Sequence, residues 1–222
     1  ILEHDFFANP LSFSTLNLFL TCPRKYYYTK IAHIDAPKAI ASELGTKQGN
    51  SVHGALFEYY TSEFYKQNNT FDLVVFKEML AKQNLTPLEF EIWTHKFKEY
   101  EIYENERLRA GFRVLECEKE VQSEFCGVQI KGFIDRIDAD ASGDVLILDY
   151  KTGEANVNSL QLAFYEALYG GEVRSAYYAL KNEPSLVSSK KSVEDLNGEI
   201  EKLKCINKTK INFERKSGAC TF

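Results

Sequence analysis

The sequence predicts a mixed α/β fold in which an α/β core carries an N-terminal helical elaboration. Three observations predict it. Apolar residues recur at helical spacing over most of residues 11–110. Between 112 and 151 they give way to strand-like runs separated by turn signals. From there to the C-terminus, helical and strand-like stretches alternate.

Taken in order, Pro10-Leu11-Ser12-Phe13-Ser14 opens a first helix in which Leu16, Phe19, Leu20 and Tyr27 recur at helical spacing. Ser12 or Ser14 is its N-cap, because a hydroxyl there accepts a backbone N–H that the helix start leaves unpaired. A second helix is expected from about Glu43 to Tyr65, with Val52, Leu56, Tyr59, Tyr60 and Phe64 as its apolar stripe. Thr86-Pro87 starts a third, a capping residue followed by a proline where no N–H is needed. That helix continues past Leu108 and ends at Gly111. Val114, Val121, Phe125, Val128, Ile130, Phe133, Ile134, Ile137, Val145, Ile147 and Leu148 then mark three strands, broken at Gly127 and at Ala141-Ser142-Gly143-Asp144. Asn158 to Tyr169 returns to helical spacing and Gly170-Gly171 breaks it. Val173 to Leu180 reads as a fourth strand, and Ser192 to Cys205 as a last amphipathic helix. The expected organisation is one domain over 1–222, with a helical part at about 11–110, a core at about 112–181, and a C-terminal helix and basic tail at 189–222.

Composition limits the function classes. A hydrophobic fraction of 44% and an aromatic fraction of 14% exclude a disordered chain. No apolar run approaches the roughly 18 to 20 residues that span a bilayer, so no membrane partner is expected. The start at Ile1, with neither Met nor a signal-like segment, points to a fragment of a longer protein. Five cysteines at 22, 117, 126, 205 and 220, with no CxxC pair, fit reduced thiols in the cytoplasm. The net charge of −5 is unfavourable to a nucleic-acid partner only as a whole-chain figure. Basic residues crowd Lys202–Lys216, and Arg24, Lys25, Lys30 and Lys38 stand near the N-terminus. Tyr26-Tyr27-Tyr28 beside Arg24 and Lys25 are candidates for base stacking.

The stretch that carries chemistry is Gly132-Phe133-Ile134-Asp135-Arg136-Ile137-Asp138, followed by Leu146-Ile147-Leu148-Asp149-Tyr150-Lys151-Thr152-Gly153. Strand side chains alternate, so Val145, Ile147, Asp149 and Lys151 share a face, as Phe133, Asp135 and Ile137 are expected to do. Each carboxylate thus extends an apolar row, where it needs a cation or strong donors. If the strands pair through the Ser142-Gly143 turn, Asp135 and Asp149 come together as hard oxygen ligands suited to Mg²⁺ or Mn²⁺. Lys151 on the same face can orient or deprotonate an attacking water and neutralise charge on a phosphate. This set describes phosphodiester hydrolysis without a protein nucleophile. Arg136 is read equally as a phosphate contact or as an ion-pair partner of Asp138 or Glu120. Gln161 and Tyr165, four apart, share a helix face.

These residues resemble the core of the PD-(D/E)XK nuclease superfamily, in the branch of RecB/AddB-type recombination nucleases. The resemblance extends to Leu11-Ser12-Phe13-Ser14 through Cys22-Pro23-Arg24-Lys25-Tyr26-Tyr27-Tyr28 in an opening helix. Gly45-Thr46-Lys47 with Gly49-Asn50-Ser51-Val52-His53 resembles a G-x-x-x-H element, and Gln161 with Tyr165 a Q-x-x-x-Y helix. It implies a restriction-endonuclease-like mixed sheet flanked by helices. It also implies metal ligation by His53, Asp135 and Asp149 with the Tyr150 carbonyl as a further ligand, and Lys151 as the catalytic lysine. Alone, His53 would read as a packed core histidine, and an imidazole ligand leaves Mg²⁺ and Mn²⁺ both open. By the same resemblance Gln161 and Tyr165 sit beside the site, supporting it or touching the DNA backbone. A glutamate from the preceding strand, Glu118 or Glu120, joins it. Cys22 and Cys220 stand where an iron–sulfur (4Fe–4S) cluster of the uncut protein would take ligands, although this chain cannot complete four cysteines. The implied function is a DNA exonuclease in double-strand-break repair, partnered by a helicase subunit or region. A CRISPR-associated exonuclease of similar core and a catalytically silent DNA-binding scaffold are the alternatives.

Overall fold

The computed structural model describes residues 1–34 and 40–216, with the side chains of 40–44 outside that description. After a two-residue strand, β1 (Leu2–Glu3), the chain enters the main sheet as β2 (Leu11–Ser12) and turns directly into α1 (Phe13–Thr21). Ser12 caps α1, its hydroxyl accepting the Thr15 N–H at 3.3 Å. Next come α2 (Pro23–Tyr26) and a π-helical turn, Tyr27–Ile31. The expected helix from 43 to 65 is two: α3 (Ile40–Thr61) and α4 (Glu63–Asn68). Ser62 separates them by leaving helical geometry and capping α4 at Tyr65 N. α5 (Leu73–Ala81) has no counterpart in the sequence reading, because Val74-Val75-Phe76 disfavours a helix. The Asp72 carboxylate starts it nonetheless by accepting the Val74 and Val75 N–H groups. α6 (Pro87–Arg109) opens with the expected Thr86–Pro87 start, reinforced by a reciprocal Thr86–Glu89 capping box.

The sheet follows. β3 (Arg113–Phe125) and β4 (Val128–Ala139) form a long antiparallel hairpin through Cys126-Gly127, both with positive φ. β5 (Val145–Lys151) pairs antiparallel with only the last residues of β4, from Arg136↔Leu148 to Ala139↔Val145. Farther back along β4, β2 pairs in parallel through Leu11↔Ile130 and Ser12↔Lys131. β3 occupies the other edge of β4 throughout, so β2 and β5 share one edge and leave a fork between them. α7 (Gln161–Tyr169) crosses over to β6 (Arg174–Ala179), parallel to β5, and β7 (Ser185–Val187) ends the six-stranded mixed sheet. α8 (Val193–Ile206) and β8 (Lys210–Ile211), the partner of β1, complete the described chain.

Each sheet face buries its own core. Ile130, Ile134, Ile137, Ile147 and Tyr177 pack with Leu162, Phe164 and Leu168 of α7 and Leu196, Ile200 and Leu203 of α8. Leu146, Leu148, Tyr150, Ala176 and Tyr178 pack on the other side with residues of α3, α5 and α6. β5 therefore alternates as expected. β4 does not: Ile134 and Ile137 join the same core, whereas Phe133 is 55% exposed. Phe133, Asp135 and Ile137 thus do not share one face. Opposite Asp135, Glu118 in β3 adopts φ 49, and the β3–β4 ladder lacks that one pair while keeping its register on either side. Among the described residues no helix is long and apolar enough to cross a membrane.

Candidate active site

The β4–β5 ladder stops at Arg136↔Leu148, and the next two residues, Asp135 and Asp149, fall at the fork. Asp135 Oδ2 takes the place of a strand carbonyl and accepts the Tyr150 N–H at 2.9 Å. His53 reaches the same point from α3. Its Nε2 donates to the Tyr150 carbonyl at 3.0 Å, and Nδ1 lies 3.4 Å from Asp135 Oδ2. One turn before His53, a Cβ on Gly49 would come 3.1 Å from Thr152 Oγ1, so the glycine lets α3 lie close to the loop after β5.

His53, Glu118 and Asp135 each offer a ligand atom, all within 4.8 Å of one another. Glu118, not Glu120, comes to the site: the positive φ at Glu118 reorients it, while Glu120 stays in regular register opposite Phe133. Among the described residues Asp149 joins no such group with them, but it is close enough that its charge acts on His53, Glu118 and Asp135. Gln161 Nε2 donates to Asp149 Oδ1 at 2.9 Å, and Gln161 Oε1 accepts from Lys151 Nζ at 2.9 Å. Lys151 Nζ also stands 2.6 Å from Asp149 Oδ2, an ion pair on a nearly buried carboxylate. Gln161 fixes both functional groups of the strand end at once.

The electrostatics follow from crowding. Burial, and then the Asp149 charge, push the Asp135 carboxyl well above the ordinary range. Burial raises Asp149 as well, although Lys151 pulls it down, and burial with Asp149 raises Glu118. Burial holds His53 below its usual value, favouring the neutral imidazole. With Nε2–H given to Tyr150, the Nδ1 lone pair faces Asp135. A ring nitrogen and carboxylate oxygens turned towards one another fit a divalent cation, and a histidine ligand commonly donates its other N–H to a backbone carbonyl. The Tyr150 carbonyl, expected as a further ligand, is the acceptor in that contact.

Arg136 is an ion-pair residue of the interior and not the phosphate contact that the sequence also allowed. It is 0% exposed, and its guanidinium binds Asp138 at 2.6 and 2.8 Å and Glu104 at 2.6 Å, with Tyr60 under its plane. The structural ion pair is realised, and a DNA phosphate has no access. Tyr165 is buried at 8% exposure with its hydroxyl 3.2 Å from Gln161 Nε2, a place that supports the site from within. Tyr177, absent from the sequence reading, lies under Lys151 with Nζ 5.2 Å from its ring centre. Its inward place on β6 was the available signal. Tyr26 is buried against His4, Phe6 and Phe213, which removes it from base stacking. Cys22 is fully buried and disulfide-bonded, unlike the reduced thiols expected throughout, while Cys117, Cys126 and Cys205 are free. Cys220 and Lys38 lie outside the described residues.

Comparisons with known proteins agree with this architecture. The sequence model of the PD-(D/E)XK nuclease superfamily matches residues 10–217. An uncharacterised protein of Rickettsia bellii (strain RML369-C) is 29% identical over 161 residues, 67% of this chain. The chain spans about a fifth of that relative's length, 19%. A crystal structure from Eubacterium rectale, of a protein named as a presumptive exonuclease, superposes with a TM-score of 0.52 at 14% identity. The superposition covers 93% of this chain and 85% of that one, and shows a shared fold. With the mixed sheet, the fork carrying Asp135 and Asp149, and Lys151 two residues beyond, the chain belongs to the PD-(D/E)XK nuclease superfamily.

Proposed function

We propose that this domain is a metal-dependent deoxyribonuclease of the RecB/AddB kind. In this reading it is an exonuclease that hydrolyses phosphodiester bonds in recombination and double-strand-break repair, alongside a helicase subunit or region. The observation that carries the reading is the convergence of His53, Glu118 and Asp135 within 4.8 Å, next to the Asp149–Gln161–Lys151 bridge. His53, Asp135, Asp149 and Glu118 would hold Mg²⁺ or Mn²⁺, which when bound would supply Lewis acidity to the phosphate and a lowered pKa to a water nucleophile. Lys151 holds an ammonium where charge gathers on the phosphate and where an incoming water must be oriented. Gln161, bonded to both Lys151 and Asp149, fixes that ammonium beside the carboxylate. Tyr165 and Tyr177 wall the site on the α7 side. We further propose that in a longer chain Cys22 and Cys220 ligate an iron–sulfur cluster in place of the Cys22 disulfide.

End-labelled linear DNA tests the reading. Cleavage is expected with Mg²⁺ or Mn²⁺, is lost on chelation, and falls by at least about a hundredfold in Asp149→Ala. Undiminished cleavage in chelator, or in Asp149→Ala, contradicts the reading.

A further inference from the structure

Between Glu118 and the Cys126-Gly127 turn, the β3–β4 hairpin buries one face only. Gly132 lies against Leu168 and Tyr165 of α7, and Ile130 and Ile134 are fully buried beside them. The opposite face carries Glu120, Gln122 and Glu124 on β3 and Gln129, Lys131 and Phe133 on β4, all exposed. Phe133 is 55% exposed and joins neither apolar core. A single exposed apolar side chain is common on a protein surface. Its position distinguishes this one. Phe133 stands two residues before Asp135 on β4, and its cross-strand partner Glu120 stands two residues after Glu118 on β3. On both strands the Phe133–Glu120 pair therefore stands two residues, roughly 6.7 Å along the backbone, from Asp135 and Glu118 of the His53–Glu118–Asp135 group. Lys131, one repeat farther out on the same face, adds an exposed cation in line with it.

We propose that Phe133 is the stacking platform for the nucleobase next to the scissile phosphate; this rests on the nuclease reading above. An exposed aromatic face on an open sheet accepts any base, because every base has a π-face, and the stack requires that base to be unpaired. With the base held on Phe133, its sugar–phosphate is delivered to the fork, and Lys131 faces the next phosphate outward. Phe133 thereby positions substrate without taking part in the chemistry. It makes the domain favour single-stranded or frayed ends without reading their sequence.

A chemical double-mutant cycle tests this. Short single strands, normal or carrying one abasic nucleotide beside the cut bond, are cleaved with Mn²⁺ by the wild-type chain, Phe133→Ala and Phe133→Trp. Stacking predicts that the abasic nucleotide raises the wild-type KM by about five- to hundredfold. Phe133→Ala raises KM on normal DNA by a similar factor and shows no further penalty on abasic DNA, while Phe133→Trp keeps the wild-type KM. Rescue by tryptophan separates stacking from damage to the fold. A wild-type KM in Phe133→Ala, or independent penalties from ring and base, overturns the assignment while leaving the nuclease intact. No cleavage by the wild-type chain with metal overturns the nuclease reading and this inference with it.

Discussion

Lys151→Ala lowers metal-dependent DNA cleavage by about 10²- to 10⁴-fold while the chain still binds Mn²⁺. The ammonium stands 2.6 Å from Asp149 Oδ2 and 2.9 Å from Gln161 Oε1, at the end of a strand whose preceding residues are buried. Removing it takes away the positive charge beside the phosphate but none of the residues assigned to the metal. It also leaves the Asp149 carboxylate, 3% exposed, without its nearest cation. The metal-free variant should therefore melt at a lower temperature than wild type, and added Mn²⁺ should recover more stability in it than in wild type. Single-turnover cleavage paired with thermal melts checks both parts. An unchanged rate removes Lys151 from the chemistry, and loss of Mn²⁺ binding assigns it a role in building the site.

Arg136→Met destabilises the fold by about 3–5 kcal/mol, the range for breaking a buried ion pair from one side. Arg136, Arg107, Glu104 and Asp138 form a closed set between the sheet and α6. Arg107 bridges Glu104 at 3.0 Å and Asp138 at 2.9 Å, and Arg136 binds both acids from the other side. The hydroxyls of Tyr60 and Tyr178 donate to Glu104 at 3.0 and 2.9 Å. Without Arg136, two fully buried carboxylates share one guanidinium. The same set predicts acid sensitivity. Burial acts to raise Glu104, but Arg136 and Arg107 outweigh it and hold the carboxyl below its usual 4.5. A depressed carboxylate contributes stability above its unfolded-state pKa and loses it as pH falls through the folded one. Wild-type stability should accordingly drop below about pH 4.5, and Arg136→Met should lose part of that acid limb. Urea unfolding across pH measures both, and a loss under about 1 kcal/mol would mean that the set is loosely coupled. Arg136 also donates to the Tyr150 hydroxyl at 3.1 Å, so the set anchors the residue whose backbone bonds Asp135 and His53.

Much of the site was legible because it depends on two short periodicities. Asp149 and Lys151 follow from strand alternation on β5, and Gln161 with Tyr165 from the four-residue helix repeat of α7. Asp135 was found by pairing through the Ser142-Gly143 turn, although the face assigned to it assumed an unbroken pleat. Glu118 could not be chosen over Glu120, because a positive φ in mid-strand leaves no mark on hydrophobic patterning. Arg136 remained open for a different reason: its partners come from α3, α6 and β4, and no local pattern reveals a charge set assembled across such distances. The strand β2 was hidden by its two-residue length, and α5 by β-branched residues that an Asp72 cap and tertiary packing overrule.

Calorimetric titration of Mn²⁺ at neutral pH tests the central claim, that these carboxylates and the imidazole exist in this arrangement to hold a divalent ion. The raised carboxyls of the metal-free site must give up protons on binding, so affinity should fall as pH falls. The arrangement predicts one site in the wild-type chain, weakened at least about tenfold in Asp135→Asn, His53→Ala and Glu118→Gln. Equal Mn²⁺ affinity in all four proteins would contradict it.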